Sequence, residues 1–478
     1  MDEKFKLIIR DKLNLDMESP VVIGFSGGVD SVCLATLFLQ SSIPIIIAHY
    51  NHSLRETADR DEDFAREFAQ KRNLIFVSEK SDVSKFAKAN RLSLEEAARK
   101  KRYEFLFRIA KNNHSKTIAV AHHADDQVET VLMHLFRGSG MAGLLGMREE
   151  VTILEFDPTI KIIRPLLSFW REEIEQYCNE KKLDFVIDET NFSILYERNR
   201  IRNEILPYLQ QFYPGLKNRI FRMSNILINE DDIVQEQLQK IWNDVCNFEG
   251  SHFIILDSIK ISKLPIALQR RIIRRAVFSI KPDCRDLSFE NIERVLEFLK
   301  NKKPGEIDLQ ENLNALFSST EIIVGSKTKE WLGILYPQLD EKIIIEDLVD
   351  KTIRLSNHWE LSLENLGKQD YLTFSNLENF VVYVDADQFL ENQIILRNRE
   401  KGDRFQPLGM EKGKVKISDF FINEKLLKSA RDKWLLLTNK NNEIIWVPGF
   451  RQNHKSKVTN QTKNILKISV TKRDVNSS

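Results

Sequence analysis

Long hydrophobic runs are missing from this chain of 478 residues; no apolar stretch approaches the ~20 residues that a membrane-spanning helix needs. The first twenty residues interleave charges with apolar side chains, so a secretory signal is not expected. Cysteine is scarce as well: Cys33, Cys178, Cys246 and Cys284 lie far apart and form no CxxC pair. That spacing offers neither a local zinc cluster nor a redox dithiol, and it fits a reducing cytoplasm with no membrane partner. Internal repeats are absent, and the only low-complexity stretch is the polar tail at 474–478. Net charge is almost absent at +1, but the balance is uneven along the chain. Residues 397–457 hold 15 Lys/Arg against 7 Asp/Glu, which leaves the remainder acidic. Such a segment points to a polyanionic partner, although a solvated charged surface accounts for it equally.

What is present is a globular composition, 42% hydrophobic and 29% charged, at a length that implies roughly three domains. Short apolar runs at 21–25, 43–48, 74–77 and 117–121 alternate with helical patterns at 31–40, 60–71 and 93–111. Alternation of this kind predicts an α/β fold with a doubly wound parallel sheet covered on both faces. Residues 166–208 read as mostly helical, and Pro207 and Pro214 suggest a boundary near 215. From 216 to about 303 the period is helical with little strand character, until Lys302-Lys303-Pro304-Gly305 breaks it. Later, 380–397 and 443–447 read as strands around a helix at 418–428. The expected organisation is a catalytic domain over 1–215, a mainly helical domain over 216–340 and a small α+β domain over 341–478. The region 305–372 yields no functional reading.

The first strand runs directly into Ser26-Gly27-Gly28-Val29-Asp30-Ser31, followed by an apolar helix. Two glycines permit a tight turn and a close backbone approach. The hydroxyls of Ser26 and Ser31 and the helix N-terminus add donors and positive potential. This suits a pyrophosphate group, without the GxxxxGK[ST] lysine of kinases. Asp30 would repel phosphate unless a bridging Mg²⁺ took both as hard oxygen ligands. Two other readings stay open: a glycine-rich turn with no ligand, and the nucleophile elbow that Gly24-Phe25-Ser26-Gly27-Gly28 also spells. An elbow normally follows several strands, whereas only about 20 residues precede this one.

A second cluster, His122-His123-Ala124-Asp125-Asp126-Gln127-Val128-Glu129-Thr130, opens the helix after the fourth run. Helical spacing sets Asp126, Glu129 and Thr130 on one face, where they can hold Mg²⁺ or an ammonium group. An ordinary acidic first turn, favoured by the helix dipole, is the alternative. In a sheet ordered 3-2-1-4, this cluster and the glycine loop would face each other across the crevice where α/β sheets bind ligands.

SGGVDS after a first strand matches the PP-loop of the N-type ATP pyrophosphatases, and the wider chain resembles the tRNA(Ile)-lysidine synthase (TilS) family. The matching segments are Ser26–Ser31, HYNHSLR at 49–55, SLEEAARKKRY at 93–103, residues 121–130 into Arg137-Gly138-Ser139-Gly140, Arg164-Pro165-Leu166, residues 188–202, KGDRF at 401–405 and residues 416–421. The resemblance implies ATP and Mg²⁺ as cofactors, and free L-lysine and a CAU-anticodon isoleucine tRNA as partners. It also implies a two-step reaction: ATP adenylates the C2 oxygen of the wobble cytidine, and the lysine amine then displaces AMP. Ser26, Gly27, Gly28, Val29, Asp30 and Ser31 would bind ATP, with Asp30 holding the metal. Asp126 and Glu129 would bind lysine, and the three acids Asp30, Asp126 and Glu129 would be catalytic. Arg99, Arg198, Arg202, Arg270 and Arg274 are expected to contact tRNA. His122 and His123 are candidates for accepting the amine's proton, and oligomeric state stays open with a homodimer as one option. A tRNA thiolase is the nearest alternative, disfavoured by the scattered cysteines. A non-catalytic RNA-binding scaffold would have no need of Asp30, Asp126 and Glu129.

Overall fold

A computed structural model of the chain describes residues 1–478 apart from 53–57, 91, 187–196, 285–286, 302–304, 319, 329–330, 347, 349, 357, 367–379, 390–392 and 474–478. Parts of the sequence segments at 49–55, 188–202, 302–305 and 380–397, and the whole tail at 474–478, therefore lie outside the described residues. The chain divides into two compact units, Met1–Glu236 and Gln237–Ser478.

In the first unit the apolar runs form a six-stranded sheet. Strands β1 (Val21–Gly24), β2 (Ile45–Asn51), β3 (Ile75–Lys80), β4 (Thr117–Ala119), β5 (Glu150–Thr152) and β6 (Lys161–Ile163) take the order β3-β2-β1-β4-β6-β5. All neighbours are parallel except β5, an antiparallel edge on β6. Val21, Val22 and Ile23 are fully buried because β1 is central and covered on both faces. One cover is α1 (Asp2–Leu7), α2 (Val29–Gln40), α3 (Ala58–Gln70) and α8 (Arg171–Glu180), with Phe5, Phe38, Phe68 and Ile174 in its core. On the other face, α4 (Val83–Asn90) and α5 (Leu94–Asn112) bury Val83, Phe105 and Leu106. Ser93 and Glu96 close a reciprocal capping box that starts α5 where the periodicity begins.

Beyond the sheet, α6 (Ala124–Phe136) and α7 (Met141–Leu144) lead away from β4. α9 (Glu197–Arg200), α10 (Leu206–Phe212) and the first part of α11 (Leu216–Val245) return to pack on α6. Val128, Val131 and Leu132 meet Ile201, Leu206 and Ile220 there. The compact units part at 236/237, rather than near 215, because residues such as Ile220 and Ser224 of α11 bury against the first core. Gln127 fixes that seam. It is fully buried, donates to Leu145 O (2.8 Å) and Ser224 Oγ (3.3 Å), and accepts from Met147 N–H (2.6 Å).

The middle segment is helical, with α12 (Ser258–Ser262), α13 (Ile266–Ile280) and α14 (Phe289–Asn301), but it also carries a sheet that the sequence reading did not include. β7 (Cys246–Glu249), β8 (Phe253–Asp257), β9 (Gly305–Gln310), β10 (Leu313–Phe317) and β11 (Glu321–Ser326) form an antiparallel sheet ordered β7-β8-β11-β10-β9. Ile272, Val277, Ile292 and Val295 pack onto Ile254, Leu256, Ala315 and Val324. A five-residue run such as Phe253–Asp257 has too few turns of either period to declare itself, so the long helix before it set the reading.

The remainder is built on two four-stranded antiparallel sheets. One is β12 (Ile343–Ile345), β16 (Ile394–Arg397), β17 (Leu436–Asn439) and β18 (Ile444–Trp446). The other is β13 (Lys351–Arg354), β14 (Trp359–Leu366), β19 (Ile465–Lys472) and β15 (Val381–Asp385), each in spatial order. Leu361, Val384, Leu396, Leu437 and Ile468 fill one core. The helix expected at 418–428 is Ile417–Asn423, and its Phe420 and Phe421 pack with Phe405 and Trp434. Among the described residues no helix is long and apolar enough to cross a membrane.

Replacing Gln127 by Leu would strand the Leu145 carbonyl and the Met147 N–H at a buried seam. The expected loss is about 2–4 kcal/mol, read as a lower urea midpoint for the first unit.

Candidate active site

The site is built where β1, β4 and β6 end, because parallel strands deliver their loops to one edge of the sheet. After β1 the chain turns through Gly27 at φ +86°, and a Cβ there would come within 3.2 Å of Phe64. Gly27 N–H donates to Ser31 Oγ (3.1 Å) and Gly28 N–H to Ser26 Oγ (3.4 Å), while the Ser31 hydroxyl donates to Gly28 O (2.9 Å). Gly28 is the N-cap of α2 with no side-chain cap, so the first-turn N–H groups of Val29, Asp30 and Ser31 face outward for an anion. Ser26, the residue an elbow would use, meets Ser31 Oγ (3.3 Å) and the Gly28 N–H rather than an imidazole.

Asp30, one residue into α2, directs its carboxylate toward the end of β4. Its Oδ2 accepts from Arg171 Nη1 at 3.3 Å. Its Oδ1 is buried with no hydrogen bond and lies 3.8 Å from His123 Nε2. Burial pushes the Asp30 carboxyl above the usual carboxylate range, against the pull of His123 and Arg171. His123 caps α6 and is itself buried. Its Nε2 is 3.5 Å from Asp126 Oδ2 and its Nδ1 is 3.7 Å from Asp125 Oδ2. One imidazole therefore separates the loop aspartate from the acidic turn, and the two sequence clusters meet as a 3-2-1-4 strand order requires.

Asp126 and Glu129 are both buried, and two arginines 69–76 residues away hold them. Arg198 donates to Glu129 Oε2 (2.8 Å) and Asp126 Oδ1 (3.0 Å). Arg202 donates to Glu129 Oε1 (2.5 Å) and Oε2 (2.9 Å) and to Asp126 Oδ1 (3.1 Å). The backbone N–H of His123 adds a bond to Asp126 Oδ2 at 2.9 Å. Burial works against ionisation of Asp126, but His123, Arg198 and His122 outweigh it and hold the carboxyl well below the usual range. Asp30 and Asp126 are thus driven in opposite directions by surroundings a few ångströms apart. Divergence of this kind marks sites where neighbouring acids have different tasks. Asp125 is occupied separately, by Lys217 and by the Arg171 N–H (3.0 Å).

The expected tRNA contacts fall into two groups. Arg198 and Arg202 point their guanidiniums into the acidic turn, where a free basic surface was anticipated. Arg99 is exposed on α5, its guanidinium 5.4 Å from the Tyr103 ring. In the second unit Arg270 pairs with Glu293 (2.7 Å), and Arg274 lies 5.6 Å from the Phe278 ring. Sequence reasoning gave no role to Arg171, while His123 was one of two candidates for a proton acceptor and Arg164 only a motif position. His123 and Arg164 shared a signal, a place shortly after a strand end, whereas Arg171 opens α8 and carried none.

For Mg²⁺, the orphaned Oδ1 of Asp30 is a suitable hard ligand. Among the described residues no group of three His, Cys, Asp or Glu side chains gathers to hold a metal. An ion on Asp30 would take its other ligands from phosphate and water.

Family models match the chain in two places: a PP-loop domain over residues 1–209 and the TilS substrate C-terminal domain over 394–470. A tRNA(Ile)-lysidine synthase from Caldanaerobacter subterraneus subsp. tengcongensis is 31% identical, with 99% of this chain and 98% of the relative covered. One from Clostridium tetani is 33% identical, covering 94% of each. Among solved structures, the U34-tRNA thiolase NcsA from Methanococcus maripaludis aligns with a TM-score of 0.40 at 20% identity, over 48% of this chain and 79% of that one. A TilS C-terminal domain aligns with a TM-score of 0.25 at 20% identity, over 28% of this chain and 99% of that domain.

Because the native carboxyl of Asp30 titrates above its unfolded range, the folded state binds the extra proton, and its ionisation opposes folding. The stability Asp30 lends at low pH is lost as pH rises through its folded titration range. Asp30→Asn should therefore melt about 2–4 °C above the parent at pH 7, with the gap closing below the ordinary aspartate range. Thermal melts across pH 3–8 (roughly the span that matters for carboxylates) read this directly.

Proposed function

The chain belongs to the tRNA(Ile)-lysidine synthase family, and we propose that it joins free L-lysine to C2 of the wobble cytidine in the CAU-anticodon isoleucine tRNA, consuming ATP and releasing pyrophosphate and AMP. The single observation that carries this reading is the meeting of an uncapped glycine loop with Asp30, His123 and the Asp126–Glu129 pair at one sheet edge.

The chemistry follows from the partners. The cytosine C2 carbonyl is a poor electrophile, so its oxygen attacks the α-phosphorus of ATP and pyrophosphate departs. The N–H groups of the Ser26–Ser31 loop suit that diphosphate tail, and electrostatic stabilisation by fixed donors is most effective out of water. Mg²⁺, held by Asp30 with the phosphates, would neutralise their charge. The side-chain amine of lysine then forms the C2–N bond, the C2–O bond breaks, and AMP leaves with the oxygen. With a reference pKa of about 10.4, the amine must first shed a proton.

Asp126 and Glu129 are the cation-binding pair for lysine, in exchange with the guanidiniums of Arg198 and Arg202. Once released, those arginines are available to tRNA phosphates. Arg99 on α5 and Arg270 and Arg274 on α13 extend the same backbone recognition. In this reading the first unit, Met1–Glu236, performs the chemistry, while the second, Gln237–Ser478, holds the tRNA. A thiolase reading would call for cysteine sulfur at the site, whereas Cys33 and Cys178 are buried in the core between α2 and α8.

Labelled lysine should enter the CAU-anticodon tRNA only in the presence of ATP; equal labelling of bulk tRNA would refute the assigned specificity. Asp30→Ala should remain folded and lose at least about 100-fold in AMP release, the scale of removing one electrostatic element of a transition state. Turnover surviving in that variant would take Asp30 out of the mechanism.

A further inference from the structure

Arg171 opens α8, and a cation in that place is unusual. A helix start carries partial positive charge, which suits Glu172 and Glu173 in the same turn and disfavours an arginine. Its contacts tie it to both sequence clusters at once. The backbone N–H donates to Asp125 Oδ2 of the acidic turn at 3.0 Å, and Nη1 donates to Asp30 Oδ2 beside the glycine loop at 3.3 Å. Nε donates to Glu175 Oε1, one turn along the same helix, at 2.8 Å. That tether fixes the plane of the guanidinium and leaves Nη2, which donates to no atom among the described residues. A third of the side chain stays exposed. Arg198 and Arg202, by contrast, commit their N–H groups to two buried carboxylates.

As a brace for Asp30 this arrangement is poor. A single bond of 3.3 Å is long for a charged pair, where about 2.7–2.9 Å is usual. The other Asp30 oxygen is left without a hydrogen bond. Among the described residues Arg171 is nevertheless the one Lys or Arg within ion-pair distance of Asp30, the acid that adds negative charge beside an anion-binding loop. We infer that Arg171 is a further catalytic residue, whose free N–H edge contacts the α-phosphate of ATP through both chemical steps. The inference rests on the ligation proposed above. Position selects the phosphate. The glycine loop suits the departing diphosphate, while the phosphorus that the cytidine oxygen attacks lies toward the acidic turn, from which the amine comes. Arg171 is bonded to an aspartate of each cluster, so it stands between the two. Charge agrees as well. The non-bridging α-oxygens gain negative character as the C2 oxygen adds to phosphorus, and AMP gains a charge when its bond to C2 breaks. A planar cation held by one edge and open on the other suits both moments.

Sulfur in place of one non-bridging α-oxygen of ATP tests this contact in the full-length enzyme with the CAU-anticodon tRNA and lysine. In Arg171→Met, single-turnover pyrophosphate release should slow about a hundred- to a thousandfold, the scale of one lost donor to a developing charge. KM for lysine and tRNA should stay within about threefold of the parent, because ground-state binding of those partners is untouched. The oxygen-to-sulfur rate ratio of at least one thio diastereomer should fall toward unity, since the group that distinguishes the two atoms is gone. Arg171→Lys, which keeps the charge without the fork, should recover part of the rate, and it carries the thio comparison if Arg171→Met fails to fold. Equal slowing with ATP and both thio analogues would make Arg171 a mere brace for Asp30 and overturn the assignment, as would an unchanged rate. A parent that releases pyrophosphate but attaches no lysine would overturn the ligation reading instead, with the thio ratios still deciding the role of Arg171.

Discussion

Arg198 and Arg202, closed over Asp126 and Glu129, bind the segment after residue 196 to the first turn of α6 and set the electrostatics of the whole sheet edge. Four charges removed from water contribute little net stability, because desolvation offsets most of their attraction. Their value lies in geometry. Each carboxylate oxygen has a fixed donor, so the acids keep one orientation beneath a protein surface. The same positive field reaches Asp30 only weakly, through His123 and the single Arg171 contact, and burial there prevails. One edge thus carries a pair of acids with every oxygen bonded and, across an imidazole, an acid that lacks a complete set of partners.

The fold around that edge was largely legible from the chain. β1 to β4 declared themselves as short apolar runs between helical patterns, and the 3-2-1-4 order needed to juxtapose the clusters is the order observed. The glycine loop was legible because its chemistry is local: Gly27, Gly28 and Ser31 act within six residues of one another. What escaped was non-local. Nothing in spacing links Asp126 to Arg198 across 72 residues, so the arginines read as surface charge. Arg171 was equally mute, since its partner Asp30 lies far off in sequence.

The second unit was harder for a different reason. Antiparallel strands advertise themselves mainly through their turns, and the link between β9 and β10 passes through Gln310, Glu311 and Asn312, all at positive φ with no glycine among them. The alternation in β14, where Trp359, Leu361 and Leu363 face inward, is clear only once its neighbours are known. The two units therefore differ in how much of their order is written locally: α/β alternation in the first, long-range pairing in the second.

The arginine clamp also has a thermodynamic corollary. A site that already contains its own cations imposes a threshold on any visitor, because an incoming amine gains only the difference between its contacts and those it displaces. Under the proposed reading, the resident arginines would act as an internal competitor for the acidic pair, and only a cation that matches their charge and hydrogen bonds would displace them.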